Sequence, residues 1–258
     1  MSKFETITVS IKDGIALISL NRPRVLNAIN RPMVTELLHV FESYDTDDEV
    51  KAFVLTGNGR AFAAGADIDE MKNDDAISLE LLNQFKEWDR LATIRKPIIG
   101  SIHGFCFGGG FELALCCDIL FAAENTQFGF PEIKLGVMPG AGGTVKLTKL
   151  MGQKKALEWL WLGDPMTAKE ALEYGVINRV LAPEIVLDEA VKFAKTVASK
   201  APLSVRLIKE TVYKSIDYST YDGMQFERKN FYLLFSSQDQ KEGMKAFMEK
   251  RPAEFKGQ

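Results

Sequence analysis

A change of pattern near residue 182 restricts the fold of this 258-residue chain more than any other feature of its sequence. Through roughly the first 130 residues, short apolar runs typical of strands alternate with segments at helical spacing. After Ala182, four successive segments have helical patterns with no strand between them, at 184–199, 202–216, 221–235 and 238–249. Alternation of strands and helices predicts a mostly parallel sheet covered by helices. We therefore expect an α/β body followed by a helical C-terminal region.

The N-terminal half supplies the individual elements of this expected sheet. Asp13-Gly14 is a hairpin signal, and it separates two predicted strands at 4–12 and 14–20. Pro32 suits the first turn of a helix, and the residues after it repeat an apolar face at helical spacing. Further elements are predicted as one helix around 78–94 and as strands at 52–56, 97–102 and 119–122.

Composition and charge exclude several classes of protein. Hydrophobic residues make up 46% and charged residues 26% of the chain, which is the balance of a soluble globular protein and not of a disordered one. The net charge is −3 and no basic stripe is present, so we expect no nucleic-acid surface. The longest uncharged stretch, 97–111, has 15 residues, five of them glycine, whereas a membrane span needs about 20 apolar residues.

The cysteines and the first residues indicate a reducing compartment. Cys106, Cys116 and Cys117 are odd in number and lack metal-ligand spacing, and with only two histidines we expect no metal site. Free thiols are typical of cytosolic proteins. The segment MSKFETITVS lacks both the apolar core of a signal peptide and the arginine-rich composition of a transit peptide. We therefore expect a cytoplasmic protein.

Glu112 is the most unusual charged residue, because all its neighbours in FELALCC are uncharged. A helix that is apolar on every side is a buried helix, and a carboxylate inside it needs a partner or an altered pKa. Two interpretations stay open on this pattern alone. One is a structural glutamate bonded to a backbone amide or an arginine, and the other is a catalytic carboxylate.

The triplet Gly108-Gly109-Gly110 directly precedes the helix of Glu112. Glycines at a helix start let backbone N–H groups approach a ligand, and the helix dipole favours negative charge there. A close crossing of two chain segments explains such a triplet equally well. The patterns GxGxxG and GK[ST] are absent, so the triplet indicates neither a dinucleotide-binding loop nor a P-loop.

Two further loops carry acidic residues. The loop AFAAGADIDEM, at 61–71, is interpreted as leading into a solvated helix start and not as a set of metal ligands. Its carboxylates are Asp67, Asp69 and Glu70. In the loop FGFPEIKLGVMPGAGGT, both Pro131 and Glu132 suit the first turn of a helix. On local pattern alone, Glu132 is therefore an ordinary helix-start residue.

Three segments in this order resemble the crotonase (enoyl-CoA hydratase/isomerase) superfamily: AFAAGADIDEM, GFCFGGGFELALCCDI and FGFPEIKLGVMPGAGGT. The resemblance extends from NRPRVLNAIN to EGMKAFMEKRPAEF and is closest to the short-chain enoyl-CoA hydratases. It implies an α/β fold with a crotonase-like spiral of ββα units at 1–190 as the catalytic core. It also implies an α-helical trimerisation region at 191–258 and a homohexamer built as a dimer of trimers.

The resemblance implies a reaction and the residues that perform it. In the family, two backbone amides form an oxyanion hole for the thioester oxygen, and here they match Ala66 and Gly109. The two catalytic glutamates of hydratases match Glu112 and Glu132. The implied reaction adds water across the 2,3 double bond of a short trans-2-enoyl-CoA to give 3-hydroxyacyl-CoA. No cofactor is implied, because coenzyme A enters as part of the acyl-CoA substrate.

The resemblance also implies contacts with the coenzyme A portion. Basic residues near its phosphates, aromatic residues beside it and a loop along the pantetheine have counterparts in this chain. These substrate-binding residues are Arg24 (with Arg22 nearby), Leu26, Ala64, Asp67, Ile68, Phe231, Phe247 and Lys250. Asp69 stands where the family often has lysine, so one contact with a CoA phosphate that the resemblance implies is in doubt at this position.

Other functions stay open, because one fold supports many reactions. Within the family they are enoyl isomerisation, hydration of a branched acyl-CoA and acyl-CoA hydrolysis. A non-catalytic relative that binds CoA or RNA is a further alternative. The presence of both glutamates favours hydration, and the net charge of −3 counts against RNA.

Overall fold

Nine strands form two sheets in residues 4–258, the part of the chain that the computed structural model describes. The strands are β1 (Ile7–Lys12), β2 (Ile15–Leu20), β3 (Ala52–Gly57), β4 (Ile98–Ile102), β5 (Phe105–Phe107), β6 (Ile119–Ala123), β7 (Gln127–Gly129), β8 (Met166–Thr167) and β9 (Arg179–Leu181). The larger sheet has the order β1-β2-β3-β4-β6-β9, and all its neighbours except β1 and β2 run parallel. The smaller sheet has the order β5-β7-β8. The predicted mostly parallel sheet is confirmed.

Helices occupy most of the remaining described chain. They are α1 (Arg31–Asp45), α2 (Ile68–Met71), α3 (Ala76–Leu82), α4 (Phe85–Leu91), α5 (Gly109–Ala114), α6 (Gly143–Met151), α7 (Gln153–Leu162), α8 (Ala168–Glu173), α9 (Val186–Ala198), α10 (Pro202–Ser215), α11 (Thr220–Leu234) and α12 (Gln238–Glu249). Short 3₁₀ helices form at Pro23–Val25 and Pro131–Leu135. None of the described helices has both the length and the hydrophobicity that crossing a bilayer requires.

Two consecutive ββα units bring distant parts of the chain together. In the first, β4 of the large sheet leads into β5 of the small sheet and then into α5. In the second, β6 leads into β7 and then into the 3₁₀ helix at 131–135. Because β5 and β7 are parallel, with Phe107 opposite Gly129, the helices after them start side by side. The same register lets Gly108 N–H donate to Gly129 O at 2.9 Å.

The large sheet is covered on both faces, which explains why its central strands are continuous apolar runs. All six residues of β3 are buried. The predicted apolar face of α1 packs in one layer of the core, and α9 packs in the other through Val186, Ala190 and Ala194. The predicted boundary between residues 190 and 191 falls within α9, and the division into two domains stays a prediction.

The four predicted C-terminal helices are confirmed to within two residues at each end. The helical region docks near the amino ends of the parallel strands, where Lys209 Nζ of α10 donates to Asp118 just before β6, at 2.8 Å. The chain's end is also tied down, since the Asp239 carboxylate accepts from the N–H groups of Lys256 and Gly257. Large apolar side chains of α10 to α12 are left exposed, including Ile208, Val212, Tyr221, Phe231, Tyr232 and Phe247.

The single helix predicted around 78–94 is wrong. Two short helices, α3 and α4, occupy this region, because Asn83 adopts the left-handed conformation with φ 46° and ends the first. The Asp75 and Ser78 side chains form a capping box that fixes the start of α3. Several side chains that produced the helical spacing are exposed, among them Leu82 and Phe85.

Candidate active site

The loop after β3 runs directly beside β5. Ala63 N–H donates to Phe105 O at 3.1 Å, and Phe107 N–H donates to Ala63 O at 3.0 Å. A Cβ on Gly110 would lie 2.5 Å from Ala63 O, so only glycine fits at this crossing. The close crossing considered for the glycine triplet is therefore real at Gly110, and it coexists with a helix start at Gly109.

This crossing places the amides of Ala66 and Gly109 next to each other. A Cβ built on Gly109 would lie 3.6 Å from the Ala66 nitrogen. Ile29 N–H donates to Gly65 O and Asp67 N–H donates to Ile29 O, which leaves the Ala66 N–H outside the bridge. Within residues 4–258, neither the Ala66 N–H nor the Gly109 N–H has a hydrogen-bond acceptor. Two adjacent free donors at a helix start favour an oxygen that carries negative charge.

Glu112 lies on α5, one turn beyond Gly109, and is almost completely buried at 4% exposure. Its Oε1 accepts hydrogen bonds from the backbone N–H groups of Ala141, at 2.7 Å, and Gly143, at 2.8 Å. Burial raises the pKa of Glu112, while these two bonds and the charge of Lys146 oppose the rise. The structural interpretation of a glutamate bonded to backbone amides is correct, and Glu112 still lies on the same helix as the free Gly109 donor.

Glu132 has no comparable support. It lies in the first turn of the 3₁₀ helix at 131–135, and its Oε2 is buried without a hydrogen-bond partner in the described chain. Burial first, and then the charge of Glu112, raise the pKa of Glu132 to about 7. Its Oε1 lies 2.8 Å from the point where a Cβ on Gly108 would stand, and Gly108 has φ +50°. Glu132 does lie in the first turn of a helix, as its local pattern indicates, but the burial of its Oε2 distinguishes it from an ordinary helix-start residue.

These four groups form one arrangement at the start of α5. Gly108 connects them, because it precedes the free Gly109 amide and contacts the Glu132 side chain. Two carboxylates that are both desolvated and coupled tend to share one proton between them. The arrangement can therefore hold an oxygen at the amide pair while one carboxylate accepts a proton and the other donates one.

A second group of predicted residues lies together beside this arrangement. Ala64 N–H donates to Leu26 O at 3.0 Å, and Ile68, which begins α2, is half exposed. Asp67 stands at the N-cap of α2 but makes no capping bond. Its carboxylate instead accepts from Arg22 at 2.9 Å, so the predicted solvated cap is wrong at this residue.

The carboxylates of the loop 61–71 are paired with cations or backbone N–H groups. Among residues 4–258, no group of three His, Cys, Asp or Glu side chains is placed to hold a metal ion. Asp69 pairs with Lys72 at 2.9 Å, and Glu70 accepts from the backbone N–H of Arg31. The cation at Lys72 lies one helical turn from Asp69.

The other residues predicted to contact CoA are all exposed. Phe231 contacts Tyr232 and Phe235 of its own helical region, and Phe247 is 85% exposed. The backbone of Lys250 closes the end of α12 in the left-handed conformation. The side chain of Arg24 is exposed on the short 3₁₀ helix at 23–25.

Sequence reasoning missed the amides of Ala141 and Gly143 and the side chain of Lys146. It named Arg22 but did not predict the ion pair of Arg22 with Asp67. The segment PGAGGT was named above only as part of the loop of Glu132, which also carries the family resemblance. Its real signal was a run of small residues, which lets backbone N–H groups reach a buried carboxylate.

Comparisons with known proteins identify the family of the chain. The model of the family described as "Enoyl-CoA hydratase/isomerase" matches residues 10–258. A protein of Rhizobium meliloti named "Probable enoyl-CoA hydratase" is 44% identical over 98% of each chain. The mitochondrial enoyl-CoA hydratase of Pongo abelii is 42% identical over 95% of this chain and 84% of that protein.

A solved structure extends the similarity to the whole fold. The crystal structure from Geobacillus kaustophilus HTA426 titled "Enoyl-CoA Hydrates Subunit I" superposes with a TM-score of 0.97. It is 55% identical, and the match covers 100% of both chains. The ββα architecture, the sequence identity and the matching family model lead to one conclusion. The chain belongs to the enoyl-CoA hydratase/isomerase family, the crotonase superfamily, and has its fold.

Proposed function

We propose that the protein is an enoyl-CoA hydratase that adds water to short-chain trans-2-enoyl-CoA and forms 3-hydroxyacyl-CoA. One observation carries the proposal: the buried carboxylate of Glu112 and the partly buried carboxylate of Glu132 lie at the start of α5 with two backbone amides that have no acceptor in the described chain. The names of the relatives are consistent with this reaction.

The amides of Ala66 and Gly109 bind the thioester oxygen in this proposal. Conjugation with the carbonyl makes C3 of the substrate electrophilic, and attack by water moves negative charge onto that oxygen. Fixed N–H donors stabilise this charge without reorganising, and losing one such donor costs about 10² to 10³ in rate. The Gly109 donor also benefits from its place at the start of α5.

The two glutamates divide the proton transfers. Ionised Glu112 accepts a proton from water as the oxygen–C3 bond forms, and protonated Glu132 donates a proton to C2. The product then carries a hydroxyl group at C3 and a new hydrogen at C2. The starting protonation states return when Glu112 releases its proton and Glu132 takes one up. The different surroundings of the two side chains support this division, because Glu112 accepts two hydrogen bonds from the backbone of another segment, whereas Oε2 of Glu132 has no partner in the described chain.

The coenzyme A portion lies along Leu26, Ala64, Asp67 and Ile68 in this proposal, with Arg24 close to its phosphates. The arrangement of the first four along one surface supports this placement. Lys72 offsets the charge of Asp69, so a cation remains near that position. Coenzyme A is part of the substrate, and we propose no separate cofactor.

Turnover measured over a series of enoyl-CoA chain lengths tests the function. We expect water addition to crotonyl-CoA, seen as loss of the enoyl absorbance, with kcat/KM falling as the acyl chain lengthens. Branched 2-enoyl and straight 3-enoyl esters are the controls. Turnover of the branched ester alone contradicts the short straight-chain assignment, and turnover of the 3-enoyl ester alone indicates an isomerase. Binding of CoA without any turnover indicates a non-catalytic relative.

We also propose a homohexamer, built as a dimer of trimers, in the cytoplasm. The many exposed apolar side chains of α10 to α12 support assembly, because a large exposed apolar surface marks an interface. The three cysteines, all free, support a reducing compartment. Light scattering on the purified protein tests the assembly, and a monomeric mass contradicts it.

A further inference from the structure

Lys146 is a cation in the surroundings of Glu112 that the reaction described above does not use. It lies on α6, the helix whose first residue, Gly143, donates to the Glu112 carboxylate. Its Nζ is 3.1 Å from Cys116 Sγ, and Cys116 lies on the chain just after α5 with its Sγ 3.4 Å from Glu112 O. Lys146 is thus held against the segment that carries Glu112.

Lys146 contacts a thiol, whereas two other lysines, Lys149 and Lys209, contact carboxylates. Lys209 pairs with Asp118 at 2.8 Å, and Lys149, one turn along α6, forms an ion pair with Asp217. No carboxylate lies within ion-pair distance of Lys146 in the described chain. Its charge is therefore not neutralised locally and acts on the groups around it.

The two carboxylates have different charged groups and hydrogen-bond donors around them. Lys146 favours the ionised form of Glu112, together with the amides of Gly140, Ala141 and Gly143. The groups that act on Glu132 are its burial, its own backbone N–H and the negative charge of Glu112. The other titratable groups facing Lys146 are the thiols of Cys116 and Cys117, and Lys209 and Asp118 lie beyond them.

We propose that Lys146 is a positioning residue that keeps the negative charge of the carboxylate pair on Glu112 and so leaves the proton on Glu132. The proposal rests on the proposed hydration, in which these two roles differ. Two coupled carboxylates in similar desolvated surroundings would distribute one proton between them, and only one distribution is productive. A cation held against the segment that carries one of the two carboxylates selects that distribution.

Substitution of Lys146 tests this role through the pH profile of kcat/KM on crotonyl-CoA. In Lys146→Met, we expect the acidic limb to move up by about one pH unit and the rate at low pH to fall roughly tenfold. The loss should become smaller as the pH rises, because a higher pH restores the ionised form of Glu112. Lys146→Arg keeps the charge and should stay within about threefold of the wild type. Lys149→Met, one turn away, is the matched control and should leave the profile unchanged.

Two results would overturn the proposal: an unmoved acidic limb in Lys146→Met, or Lys146→Arg as impaired as Lys146→Met, which indicates a packing role. Thermal unfolding of each variant shows whether it folds, and Lys146→Gln replaces Lys146→Met if that variant does not. A readout independent of turnover is the infrared titration of Glu112 in Glu132→Gln, with and without Lys146→Met. A wild type that hydrates no enoyl-CoA refutes the proposed function, whereas an unshifted infrared titration refutes the role of Lys146.

Discussion

Glu112 and Glu132 are the same residue type in one site, yet the structure supports them in opposite ways. Glu112 is the more deeply buried, but two backbone N–H groups and a nearby ammonium favour its ionised form. Glu132 is less buried, but its Oε2 has no partner in the described chain and its pKa rises to about 7. Hydrogen-bond donors, more than depth of burial, therefore decide which carboxylate carries charge.

The largest expected effect comes from removing each carboxylate in turn. Glu112→Gln and Glu132→Gln should each lower kcat about 10² to 10⁴-fold, the usual contribution of a positioned acid or base. Their residual pH profiles should differ: Glu112→Gln loses the acidic limb, and Glu132→Gln loses the alkaline limb. Stopped-flow assays on crotonyl-CoA measure both, with the exposed Glu124→Gln as control. Identical residual profiles would remove the distinction between the two glutamates.

A smaller loss is expected when the free amides are covered and both carboxylates are kept. Gly109→Ala places a methyl group 3.6 Å from the Ala66 nitrogen, an ordinary contact that the fold tolerates but that fills the space above the donor. We expect kcat to fall about 10² to 10³-fold with an unchanged pH profile. Gly223→Ala, on α11 with its nearest neighbour 4.0 Å away, is the matched control. Wild-type turnover in Gly109→Ala would exclude this amide pair as the oxyanion site.

The smallest expected effect is on stability, and its sign depends on pH. The pKa of Glu132 is raised in the folded chain, so folding favours its protonated form, and this stabilisation is lost as pH rises from about 4.5 through about 7. Glu132→Gln stays neutral throughout. Its melting temperature should match the wild type near pH 4 and exceed it by about 2–4 °C at pH 8. Calorimetry at both pH values tests this, and an equal or larger gain in Glu112→Gln would contradict the contrast between the two sites.

The fold was predictable where its patterns are long. The C-terminal helices were located to within two residues because each repeats an apolar face over 12 to 15 residues. The strands β5, β7, β8 and β9 have only two or three residues, too few for a periodic signal, and none was predicted. The single helix predicted around 78–94 followed an apolar spacing that continues past Asn83, although Asn83 ends the first of two helices.

The site was predictable only in part, for a similar physical reason. Glu112 was identifiable because its neighbours in sequence are uncharged, which indicates a buried helix. The residues next to Glu132 in sequence do not indicate that its Oε2 is buried, because the pairing of β5 with β7 creates that environment. Lys146 and Arg22 contribute through contacts between segments far apart in sequence, which spacing does not report. The resemblance to a family identified Glu132, and local pattern alone did not.

The small residues around the amide pair determine which substitutions can inactivate the protein. Every residue except proline has an N–H, so the two donors at 66 and 109 and the two that hold Glu112 cannot be deleted by exchanging a side chain. What can be lost is the path of the main chain, which depends on residues that lack bulk, such as Gly108 and Gly110. Random mutagenesis of this protein should therefore find its inactivating changes at glycines almost as often as at the glutamates.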